Sequence, residues 1–175
     1  MKVVWAEKHR PSALENFRGQ EHLRAEMHSI ITGKAQMQHF VFYSREPGTG
    51  KTTLAYMLAN NLGYQIHKYN ASSKKQRGIE FIEEEISLIA RSGQNEVIIL
   101  LDEADQLTPA AQSALKGVIE DSTCFFILTC NDLSKVSPWL QSRCQVRTFE
   151  PVPIKDMEIQ LATICATEGV EIKDV

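Results

Sequence analysis

With 175 residues, 43% of them hydrophobic and 23% charged, the chain has room for one well-buried core and part of a second unit. No run of about 18 apolar residues occurs, which excludes a membrane-spanning helix, and the charged stretch from Met1 to Arg18 does not read as a secretory signal. A formal net charge of −3 excludes a protein that grips nucleic acid through an overall basic surface. Contact with nucleic acid must then come from a local patch or from several subunits acting together.

In chain order, helix-period segments over 21–32, 51–62, 79–90, 109–119 and 155–167 alternate with β-rich runs over 39–44, 64–69, 97–102, 124–130 and 145–149. That alternation predicts βαβ units and a parallel sheet. Val97-Ile98-Ile99-Leu100-Leu101 and Phe125-Phe126-Ile127-Leu128 are unbroken apolar runs, as expected of strands covered on both faces. Glu150-Pro151-Val152-Pro153 ends the last strand as a linker. The reading is an α/β core over 1–150 and the incomplete beginning of a helical unit over 151–175. The cysteines at 124, 130, 144 and 165 lie far apart with no CxxC pair, so they read as small hydrophobes in a reducing, intracellular compartment.

Pro47-Gly48-Thr49-Gly50-Lys51-Thr52-Thr53 follows a predicted strand and opens a predicted helix. Glycines let backbone N–H groups approach phosphates, and a helix N-terminus favours negative charge. Lys51 is expected to reach the β- and γ-phosphates of ATP, and the Thr52 hydroxyl to ligate Mg²⁺. One position departs from the GxxxxGK[ST] pattern: Arg45 stands where glycine is expected. The loop is then either strained at Arg45 or has no need of positive φ there. Leu101-Asp102-Glu103-Ala104-Asp105 ends the most apolar strand, at the sheet edge where α/β folds bind ligands. Asp102 is the second expected Mg²⁺ holder and Glu103 the group that polarises the attacking water, against the plain alternative of a solvated acidic turn.

Thr129-Cys130-Asn131 ends the next strand. If that strand inserts between the other two, the Asn131 amide faces the γ-phosphate or the attacking water; otherwise it is a turn residue. Arg143, in Gln141-Ser142-Arg143-Cys144, lies remote from the chain's own phosphate loop in that arrangement. It either completes a neighbour's site or is an ordinary surface arginine.

Trp5-Ala6-Glu7-Lys8-His9-Arg10-Pro11, Gly19-Gln20-Glu21-His22, Asn70-Ala71-Ser72, the Asp-Glu-Ala-Asp run, Thr129-Cys130-Asn131 and Ser142-Arg143-Cys144 occur in an order and spacing that resembles the small subunits of sliding-clamp loaders. The family is the replication factor C small-subunit type of AAA+ ATPases. Arg45 looks more like the phage-type loaders, and Glu168-Gly169-Val170 is similar to the start of the family's lid. The resemblance implies an AAA+ P-loop fold, an α/β architecture whose five-stranded parallel sheet has the order 5-1-4-3-2. It implies a subunit of a five-membered ring that uses ATP and Mg²⁺ to place a sliding clamp on primer–template DNA. It makes Arg143 a finger acting in trans. It lines the adenine pocket with the backbone around Ala6, Glu7, Lys8 and His9 and around Arg18, beside nucleotide contacts from Gly48, Thr49, Gly50, Lys51, Thr52 and Thr53.

The resemblance also implies DNA-phosphate contacts, for which Lys74, Lys75 and Arg77 are the candidates against the plain alternative of a solvated loop. Their segment is longer than the family's usual one. The alternatives are a non-hydrolysing structural subunit that donates Arg143, favoured by Arg45, and another AAA+ DNA motor. By itself the 175-residue chain is expected to be a monomer with little ATPase activity.

Overall fold

A computed structural model describes residues 4–170. Five parallel strands form one sheet: β1 (Phe40–Tyr43), β2 (Gln65–Asn70), β3 (Val97–Asp102), β4 (Phe125–Cys130) and β5 (Gln145–Thr148). Their spatial order is β2-β3-β4-β1-β5, the predicted order read from the other edge. The helices are α1 (Trp5–Lys8), α2 (Glu21–Ile31), α3 (Lys51–Leu62), α4 (residues 79–90), α5 (Pro109–Glu120), α6 (Pro138–Arg143) and α7 (Ile154–Glu168). Within α4, a π turn spans Ile82–Ile86, the stretch carrying Glu83, Glu84 and Glu85.

Successive residues of a strand face opposite sides, so an unbroken apolar strand feeds two cores at once. In β3, Val97, Ile99 and Leu101 join Phe81, Ile82 and Ile86 of α4 and Ala111, Leu115 and Val118 of α5. Ile98 and Leu100 join Met27 and Ile30 of α2 and Leu54, Met57 and Leu58 of α3 on the other face. β1 and β4 divide in the same way: Phe40, Phe42 and Ile127 go to the second core, Val41, Phe126 and Leu128 to the first. Fully burying each such side chain contributes about 1.5–3 kcal/mol. The edge strand β2 carries Gln65, His67 and Lys68 and is only partly buried, which discourages pairing with another chain.

The strands and helices lie within one or two residues of their predicted limits. Sequence reading missed the short helices α1 and α6, although Ser137-Pro138 announces α6. The Ser137 hydroxyl accepts the Leu140 N–H and Pro138 takes the first turn, where its missing N–H costs nothing. Thr108-Pro109 opens α5 in the same way. Buried Gln112 then ties α5 to the loop before α6, donating to the Lys135 carbonyl at 2.9 Å and accepting the Ser137 N–H at 2.7 Å.

Fully buried Gln20 joins three segments near the sheet's carboxyl edge. Its amide donates to the carbonyls of Glu150 (2.7 Å) and Thr49 (3.3 Å) and accepts the Glu150 N–H at 3.1 Å. The chain before α2, the phosphate loop and the exit of β5 are thereby held to one another. Gln20→Ala strands these buried backbone groups and is expected to cost about 2–4 kcal/mol, a melting-point fall of roughly 5–15 °C. Calorimetric melting checks this, and a fall of under a degree or two would show the amide to be dispensable.

Candidate active site

The loop after β1 turns through two glycines in the left-handed region, Gly48 (φ 76°) and Gly50 (φ 96°). A Cβ on Gly50 would also lie 2.7 Å from the Phe17 ring, so no other residue fits. Arg45 is exposed and does not have positive φ; among the described non-glycine residues only Glu103 does. The missing glycine therefore imposes no strain on the loop. Gly50 caps α3 without any side chain, leaving the first-turn amides turned to a cleft of about 200 Å³ lined by Arg10 and residues 48–53. The Thr49 hydroxyl is buried there without a partner. Free amides, a helix N-terminus and an orphaned hydroxyl suit an anion.

Lys51 sits at the first position of α3, 9% exposed. Its Nζ donates to the Asn131 amide oxygen (2.8 Å) and the Glu46 carbonyl (3.3 Å). Both acceptors are neutral, and among the described residues no carboxylate forms an ion pair with this ammonium. Burial pulls its pKa below the usual lysine value, opposed by the more distant Cys130, Asp102 and Asp105. Asn131 reaches this point because β4 lies between β1 and β3, as the strand order requires.

The parallel register sets Asn70 opposite Asp102 at the ends of β2 and β3. Asp102 Oδ1 accepts the Thr52 hydroxyl at 3.1 Å and a short bond from the Thr129 hydroxyl; Oδ2 pairs with Lys68 Nζ at 3.1 Å. Burial raises the Asp102 pKa, but bonds from Thr129, Lys68 and Thr52 outweigh it and hold the carboxyl below its ordinary value. Glu103 then turns the chain with φ 57° and ψ 45°, a left-handed conformation that costs a glutamate about 1–3 kcal/mol. Its N–H donates to the Thr129 hydroxyl, 3.1 Å. The strand alternation that would send neighbouring carboxylates to opposite faces is broken at this residue.

A second cleft of about 240 Å³ adjoins the first through Gly48, Thr49, Gly50 and Thr53. It is walled by Pro11, Asn16, Phe17 and Arg18 on one side and by Val152, Asp156, Met157 and Gln160 on the other. Arg18 lines this cleft. The Lys8 and His9 side chains both bind Glu168 of α7, which lies below its ordinary pKa because of them. Ala6 and Glu7 belong to α1, and their side chains lie outside the described part.

Arg143 ends α6, two residues before Gln145, which pairs with Phe40 at the start of β1. The phosphate loop leaves the opposite end of that strand, roughly 13 Å further along. Arg143 is exposed, lies 5.5 Å over the Trp139 ring and pairs with Glu120 at 3.2 Å. Lys74, Lys75 and Arg77 lie exposed in the loop between β2 and α4. All four cysteines are buried and reduced, and burial pushes Cys130 and Cys144 up to about 12. Sequence reading missed Lys68, Thr129 and Gln20 as parts of this end of the sheet. A register count from Asp102 across to β2 leads to Asn70, two residues past Lys68, so spacing gave no signal for Lys68.

The family model for the ATPase family associated with various cellular activities (AAA) matches residues 41–152. The replication factor C small subunit of Archaeoglobus fulgidus is 37% identical over 180 residues, which covers 98% of this chain and 56% of that protein. Its namesake in Sulfolobus acidocaldarius is 36% identical, covering 97% and 54% respectively. The chain spans about half the length of the curated relatives it matches. Among solved structures, the Thermotoga maritima RuvB Holliday junction branch migration motor superposes with a TM-score of 0.78 over 94% of this chain and 56% of its own, at 22% identity, a likeness of fold. With the match covering the sheet from β1 to the end of β5, the chain belongs to the AAA family of ATPases and is similar, over nearly its whole length, to replication factor C small subunits.

Proposed function

We propose that the chain is the ATP-binding and hydrolysing part of a sliding-clamp-loader subunit that acts on primer–template DNA. The observation that carries this reading is the buried Lys51 ammonium, held by neutral acceptors beside uncapped amides. A buried cation without an anionic partner is costly, and a triphosphate in that cleft supplies the partner. The adjoining apolar cleft is of a size and lining suited to the adenine ring.

Thr52 and Asp102, already within 3.1 Å of one another, would hold Mg²⁺, which neutralises phosphate charge when bound. Glu103 takes a proton from water as the water oxygen bonds to the γ-phosphorus. The bond to the β–γ bridging oxygen breaks and ADP leaves with both of its electrons. Lys51 and Asn131 orient the γ-phosphate and the water. Arg143 stands at the other edge of the sheet, which supports a role in a neighbour's site and a chain that turns over slowly alone. The exposed trio Lys74, Lys75 and Arg77 is assigned to phosphate contacts, which position DNA without reading its sequence.

Glu103→Gln is expected to keep ATP binding within about twofold while lowering the turnover number by a factor of about 10²–10⁴, the range for losing a general base. Binding and turnover measured on the same preparation decide it; equal loss of both would remove Glu103 from the chemistry. In reconstituted rings mixing wild-type and Arg143→Ala subunits, hydrolysis is expected to fall in the adjacent subunit by about 10³–10⁵, the range for trans-acting arginine fingers. A defect confined to the mutated subunit's own site would reject the trans role.

A further inference from the structure

The contacts of Asp102 differ in how easily each is given up. Thr129 is 2% exposed, and its hydroxyl is fixed between Asp102 and the Glu103 N–H. Thr52 lies at the start of α3, and its oxygen keeps free lone pairs while its proton rests on Asp102 Oδ1. Lys68 alone arrives on a long, flexible stem. Its side chain is 37% exposed, and its ammonium occupies Oδ2, the oxygen that neither threonine touches. It starts from β2 opposite Leu100, two residues before the register position of Asp102, and lies along the strand to reach it.

A cation held there does two opposing things. In the empty site it compensates a carboxylate that is 16% exposed and would otherwise be poorly solvated. A divalent ion approaching Thr52 and Asp102 meets this positive charge as well as that of Lys51, and at such separations the repulsion is weakly screened. We propose that Lys68 is an internal counter-cation that occupies Asp102 until a divalent metal displaces it, and so sets how much free Mg²⁺ the site requires. The inference rests on the reading of this cleft as an ATP–Mg²⁺ site. Loading of the metal would thereby release an ammonium at the exposed edge of the sheet.

The test is a Mg²⁺ titration of the chain with a fluorescent, non-hydrolysable ATP analogue. Lys68→Met keeps the stem and removes the charge. It is expected to lower the Mg²⁺ concentration for half-maximal binding roughly tenfold, equivalent to about 1.4 kcal/mol, whereas Lys68→Arg stays near wild type. Melting in EDTA without nucleotide gives a second measure: the Met variant melts lower than wild type, and added Mg²⁺ narrows the gap. An unchanged half-saturation in the Met variant overturns the proposal, as does an equal gain in the Arg variant, which would make the stem and not the charge responsible. Should the Met variant fail to fold, Lys68→Gln takes its place under the same criteria. If none of the proteins binds the analogue, the nucleotide-site reading falls and this inference with it; binding in all with unaltered Mg²⁺ dependence removes this inference alone.

Discussion

A buried ammonium facing neutral acceptors is the constraint around which this molecule is arranged. Lys51 begins the helix whose first amides also point into the cleft, so positive charge and helix dipole coincide at one place. Nothing in ordinary folding favours that coincidence. Burial already draws the lysine toward its neutral form, opposed by Cys130, Asp102 and Asp105, none of which is bonded to it. The fold holds the arrangement because Leu54, Ala55, Met57 and Leu58 of the same helix are completely buried against the sheet. Core packing thus maintains an electrostatic arrangement that favours anion binding.

The sheet supplies the other half of the geometry. Placing β4 between β1 and β3 carries Asn131 to the lysine and Thr129 to Asp102. The left-handed Glu103 then ends β3, and its N–H is taken up by the same threonine that binds Asp102. Thr129 therefore stabilises both the carboxylate and the strained turn beside it. Gln20 binds the phosphate loop to the exit of β5.

Periodicity and apolar runs made the architecture legible, since β3 and β4 carry the two-faced burial pattern in their composition. The phosphate loop and the acidic strand end were legible because each needs particular residue types at fixed spacing. Arg45 was read against the motif, yet the loop adopts positive φ at residues 48 and 50 and not at 45. Sequence carries no direct record of φ. The ion pair of Lys8 and His9 with Glu168 joins residues some 160 positions apart, a distance at which spacing says nothing. Lys68 escaped notice because its role depends on strand register, which exists only once β2 and β3 are paired. Chemistry held in one short segment is visible in a sequence, and chemistry assembled across segments is not.

The most direct test of the account is a crystal structure of the chain grown with a non-hydrolysable ATP analogue and Mg²⁺. The account predicts a triphosphate on the amides of residues 48–52, with Lys51 Nζ moved from Asn131 to within about 3 Å of phosphate oxygens. A nucleotide bound elsewhere, or an unchanged Lys51–Asn131 bond beside a vacant loop, would contradict it.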